Sequence, residues 1–178
     1  MARVLAVLLV FASVLVATVL PARAAAPRVA AVPFRIDQNM IGRAPLGKPP
    51  AFYRRAYASQ GSRVLADGGF DRLIFEDWHL ELLFRPGGQA AVGAITWAAR
   101  VTTGLGVGAC SRTTTLVSAY GQRLERVAQG RSLTAYRLGR LVFVTGLDGF
   151  VHSVGLLAAG VSVVPVLNAP ACGWPSIG

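Results

Sequence analysis

The 178 residues are 53% hydrophobic and 15% charged, with 18 Lys and Arg against 8 Asp and Glu for a formal net charge of +10. That length suits one domain with a sizeable core, and so apolar a composition excludes a disordered chain. Lys48 is the only lysine, so arginine carries the positive charge and favours anionic partners through an attraction that salt weakens.

Residues 1–24 read as a secretory signal: Arg3 is a short basic start, an apolar run extends from Val4 to Leu20, and Ala22-Arg23-Ala24 after Pro21 supplies a small-residue cleavage site. Cleavage after Ala24 is expected; kept as an anchor, the same run sits at the lower edge of what spans a bilayer. No Cys lies near the cleavage site, which argues against a lipid-modified start. Residues 25–41 carry Pro27 and Pro33 without a sustained period and read as a leader.

Beyond the leader the sequence returns on itself. Leu82, Phe84, Val92 and Ile95 fall on Leu141, Phe143, Val151 and Val154 at an offset of 59, and Leu46-Gly47 falls on Leu105-Gly106. Two tandem units, 42–98 and 99–157, are expected, each burying an apolar face against the other. In the first, Pro50 opens a helix to about Ser59 with Phe52, Ala56 and Tyr57 inward and Arg54 and Arg55 outward. Strands follow at about 70–75, 78–84 and 90–97. Alternation puts Leu80, Leu82 and Phe84 on the buried face and His79 and Glu81 on a solvated one.

In the second unit Ser111 is placed to cap a helix with Leu116 and Tyr120 inward and Gly121 as its stop. Tyr57 and Tyr120 differ by 63, not 59, so an insertion or deletion separates the copies. Strands at about 132–138, 140–145 and 150–157 complete it. The predicted class is α+β: two tandem repeats, each a short helix followed by an antiparallel three-stranded meander. The tail, 158–178, carries Pro165, Pro170 and Pro175, which leaves room for an edge strand near Val161–Val164 and then an extension.

Cys110 and Cys172 are the only cysteines in a chain addressed to an oxidising compartment, and one disulfide is the natural inference, with two buried thiols the alternative. The bond would close a loop of about 62 residues and stabilise the fold by roughly 4 kcal/mol on chain-entropy grounds.

A Leu-Gly or Gly-x-Gly step, a short helix ending near Tyr, then a strand meander, present twice, resembles the tandem helix-plus-sheet folds of the β-lactamase-inhibitory-protein and outer-membrane assembly lipoprotein (BamE-like) group. The matching residues are Leu46-Gly47 with Tyr57, and Gly106-Val107-Gly108 with Leu116, Tyr120 and Gly121. The resemblance covers about 42–157 and implies protein–protein contact without an active site.

No Gly-x-Ser-x-Gly, His-Glu-x-x-His or Gly-Lys-Ser/Thr phosphate loop occurs, and Gly104-Leu105-Gly106-Val107-Gly108 lacks the Lys of a phosphate loop. The acidic cluster Glu76, Asp77, His79 and Glu81 is the one arrangement suited to a weak metal site or a carboxylate-assisted base. His152, between Phe150 and Val154, reads as a partly buried, satisfied histidine. Arg123, Arg126, Arg131, Arg137 and Arg140 gather around Glu125 and Tyr136 as a candidate surface for an anionic partner. Export and the lack of an aromatic ladder argue against nucleic acid.

The sequence therefore predicts an exported, non-enzymatic binding or structural module of the cell envelope or extracellular space, without a cofactor. Its expected partner is another exported protein or an anionic envelope polymer, and it meets a membrane only through an uncleaved signal segment. The alternative is a secreted enzyme or metal binder using the 76–81 cluster.

Overall fold

The run Leu141-Val142-Phe143-Val144 is rich in the β-branched and aromatic residues that fit a pleated, buried surface, and it forms a strand. The computed structural model describes residues 35–65 and 69–173. The expected signal segment and residues 174–178 of the tail lie outside them. In chain order the elements are β1 (Arg35–Ile36), β2 (Met40–Ile41), β3 (Ala44–Pro45), α1 (Pro50–Ala56), β4 (Ser62–Leu65), β5 (Asp71–Phe75), β6 (Leu80–Phe84), β7 (Ala91–Thr96) and β8 (Thr102–Thr103). Then come α2 (Thr113–Tyr120), β9 (Glu125–Gln129), β10 (Leu133–Leu138), β11 (Leu141–Gly146), β12 (Val151–Leu157) and α3 (Val164–Leu167).

The class is α+β. Eight strands form one antiparallel sheet in the order β4-β5-β6-β7-β12-β11-β10-β9, closed in the middle by β7 and β12, where Leu156 pairs with Ala94 and Val154 with Thr96. Each helix is thus followed by four strands, not the three expected, because β4 and β9 are added at the two edges. The exposed side chains of β9, as in Glu125 and Arg126, give too little hydrophobic pattern to announce a strand.

One face of the sheet packs beneath α1 and α2. Tyr53, Tyr57, Leu116 and Tyr120 from the helices meet Leu80, Leu82, Phe84, Phe143 and Val154 from the strands. Tyr53, absent from the expected inward set, is buried because it lies one turn before Tyr57. Left-handed Ala58, with φ 49°, stops α1 before Ser59. Gly121, also at φ 49°, ends α2 as expected. Ser111 does not cap α2; its hydroxyl accepts from the Gly108 N–H at 3.0 Å and closes the preceding turn.

The other face is not solvated. Leu83, Ile95, Val142, Val144 and Leu157 are buried there, with Val161 and Val166 of the tail above them. The tail forms α3 where an edge strand was expected: Pro165 falls in the first turn, where its missing N–H goes unneeded. Val166 settles over Gly155, whose absent side chain makes the contact possible, and the buried Ser153 hydroxyl donates to the Val166 carbonyl at 3.1 Å.

The end of the expected leader belongs to the fold. Strands β1, β2, β3 and β8 make a second, small sheet in the order β3-β2-β1-β8, with β1 parallel to β8, and Ile36 and Ile41 enter the core. The Gln38 side chain beyond β1 closes the turn between β10 and β11: its Nε2 donates to the Leu138 carbonyl at 2.9 Å and its Oε1 accepts from the Arg140 N–H at 2.7 Å.

Cys110 and Cys172 are joined by a disulfide with Cα atoms 5.3 Å apart, and the Cys172 N–H donates to the His152 carbonyl at 2.9 Å. The tail is therefore fastened beside the start of β12. A structural disulfide fits an oxidising, extracytoplasmic environment.

Candidate functional site

The five arginines singled out in the sequence do not form one patch. Arg123 is exposed in the short turn after α2, and Arg126 lies opposite Tyr136 in the β9–β10 register, which puts both on the helix side of the sheet near its β9 edge. Arg126 donates to Gln129 Oε1 at 3.3 Å. Arg137 lies opposite Glu125 on the other face, with its Nε buried and without a hydrogen-bond partner among the described residues. Arg131 and Arg140 occupy the turns at opposite ends of β10, and Arg140 Nε donates to the Leu157 carbonyl at 3.4 Å.

The acidic cluster is also dispersed. Glu76 and Asp77 are exposed on a single helical turn, and His79 ends that turn in the left-handed region, φ 48°, with its ring stacked 5.8 Å from Trp97. Glu81 is 2% exposed and turned to the α3 side of the sheet, opposite Ile74 and Ile95. Arg72 Nε stands 3.2 Å from Glu81 Oε1 without hydrogen-bond geometry. Burial pushes the Glu81 carboxyl up to about 7; Arg72 opposes the rise and Glu76 adds to it. Among the described residues no group of three His, Cys, Asp or Glu side chains is placed to hold a metal.

His152 is paired rather than merely buried. Its Nε2 lies 3.0 and 2.9 Å from the two Asp148 carboxylate oxygens, across the turn between β11 and β12. The hydrogen bond to His152 holds the Asp148 carboxyl below its ordinary range, helped by the Phe150 N–H. A side chain at Gly146 would strike the imidazole ring, so glycine there gives the ring its place.

Around Tyr120 lies a groove that the sequence did not announce. Ile36, Thr103, Tyr120, Leu138 and Leu141 line it, with Asp37 and Arg123 also in its wall, and this open groove has a volume of about 370 Å³. The Tyr120 hydroxyl is oriented by a buried hydrogen bond, donating to Thr103 Oγ1 at 2.7 Å. Leu105, 59% exposed, stands at the opening. Tyr57 in the first half has no such opening: its hydroxyl accepts from the Arg43 N–H at 2.9 Å, and burial pushes its pKa up to about 12. The signal was present in the sequence as the two-residue connection Gly139-Arg140 set against Glu76–His79.

No protein family, curated protein or solved structure matches the chain.

Proposed function

We propose that the protein is an exported, non-enzymatic binding module of the cell envelope, built from two copies of one hairpin, helix and four-strand unit. The register of the sheet carries the reading. Leu80 and Leu82 correspond to Leu141 and Phe143, and Ala91 and Ala94 to Val151 and Val154, because each copy has a bulge between its third and fourth strands, at Val92 in one and His152 in the other. Cross-strand pairing then matches Leu73 with Tyr136, the same offset of 63 that relates Tyr57 to Tyr120. The fixed offset of 59 is replaced by one that shrinks from 63 to 61 across the shorter β10–β11 turn and to 60 by the last strand. At 59, Val92 and Ile95 were paired with residues on the opposite face.

The binding role is supported by what the paired copies leave outside. Exposed Arg123 lines a groove on the helix side of copy two and exposed Arg126 lies on the same face of the sheet, whereas His152 is paired with Asp148 and the Glu76–Glu81 cluster is dispersed. The proposed partner is an exported protein, with an anionic envelope polymer as the other substrate for the same charges. The test is sedimentation of the exported protein with native envelope material at low and high salt. Retention that salt releases supports the reading; a protein that stays in the supernatant at low salt overturns it.

A further inference from the structure

We infer that the groove over Tyr120 receives an aromatic side chain, an indole above all, in the position that Trp78 fills over Tyr57. The inference rests on the reading of two copies and deepens it by naming the chemistry of the partner.

In copy one the place is occupied from within. The Trp78 ring stands edge-on to Tyr57 at 5.3 Å, the Arg100 guanidinium lies 5.2 Å from the Trp78 ring centroid, and Ile41 and Leu80 close the sides. The space left is about 10 Å³, room for about one water molecule. In copy two Tyr120 and Leu141 are the counterparts of Tyr57 and Leu80, and the Thr103–Leu105 turn is the counterpart of Met40–Gly42. The counterpart of Trp78 is missing, because the β10–β11 connection is Gly139 and Arg140 alone and Gln38 fastens it shut. The result is a groove of about 370 Å³, within the usual range of about 300–1,000 Å³ for small-ligand sites.

Its chemistry suits a ring. Buried Ile36, Leu138 and Leu141 form an apolar floor. Arg123 has no ion pair among the described residues, whereas the Asp37 carboxylate already accepts from the Asn39 and Met40 N–H groups at 2.7 and 3.0 Å. A guanidinium beside an apolar floor attracts the electron-rich face of an aromatic ring, as Arg100 does with Trp78. A saturated ligand of equal size would gain the floor but not the cation. A partner segment presenting a Trp is therefore the occupant.

Indole titrated into the isotopically labelled exported protein tests this by NMR. Saturable shifts are expected at the Thr103, Gly104, Tyr120 and Leu141 amides, with cyclohexanol binding more weakly. Arg123→Ser should weaken indole binding by about two- to fivefold, the worth of an exposed cation–π contact. Gly104→Trp, at a position where a Cβ meets nothing within 4 Å, should fill the groove and abolish the shifts without lowering the melting temperature. Shifts elsewhere, equal binding of cyclohexanol, or undiminished binding to the Gly104→Trp protein would overturn the inference. Trp78→Ala separates the two readings. A second set of shifts at Ile41, Tyr57 and Leu80 supports both. Binding in the groove without that second set keeps the groove and overturns the equivalence of the copies.

Discussion

Glu81 offers a perturbation whose size follows from its surroundings. The carboxyl is 2% exposed, faces the same side of the sheet as Leu83 and Ile95, and is pushed from its ordinary 4.5 up to about 7 by burial. Between those values the folded chain keeps a proton that the unfolded chain has released, so stability falls as pH rises through the window. A rise of that size corresponds to about 3 kcal/mol at 1.36 kcal/mol per pH unit. Glu81→Gln keeps the site neutral at every pH and leaves Arg72 unpaired by a constant amount. The stability difference, variant minus wild type, should therefore grow by about 3 kcal/mol between pH 4.5 and 7 and stay flat outside that range. Urea unfolding of both proteins across the window measures it. Parallel pH profiles would refute the reasoning and mean that water reaches the carboxylate in the folded chain.

Cys172→Ser releases a loop whose ends are 62 residues apart and should cost about 4 kcal/mol, lowering the melting temperature by about 8–16 °C; non-reducing peptide mapping of the wild type should recover the Cys110 and Cys172 peptides linked. Gly155→Ala brings a Cβ within 2.5 Å of Val166 Cγ2, and should cost about 1–3 kcal/mol and speed hydrogen exchange in α3 while α2 stays protected. Asp148 should titrate below its ordinary 3.8 by NMR; the support it gives His152 is present above that value and lost as pH falls through the lowered midpoint, and His152→Gln should return the midpoint towards 3.8.

The central strands were legible because their residues alternate or run apolar. The expected 70–75 and 150–157 became β5 and β12 within a residue, and Leu80, Leu82 and Phe84 face the helices as predicted. The other face of β6 departs from the expectation: Glu81 marks a polar position, yet α3 and the tail make that face a second core, and no local pattern reports a cover drawn from about 80 residues further on. The edge strand β9 escapes notice in the sequence because its exposed residues carry little hydrophobic period. On the proposed equivalence of the two halves, a single fixed offset cannot relate them, since turns of different length shift it and a bulge reverses which residues face inward. The arginine cluster was real in sequence and scattered in space, because neighbours along β10 point to opposite faces and its turns lie at opposite ends.

The proposed binding role turns on Arg123 and Arg126, and one comparison tests it most directly. Retention on native envelope material is measured at low and high salt for the wild type, Arg123→Ser/Arg126→Ser and Arg54→Ser/Arg55→Ser, which remove equal charge from copy two and copy one. The account predicts salt-sensitive retention that falls several-fold in the first variant and is nearly unchanged in the second. Equal losses in both, or retention indifferent to salt, would contradict it.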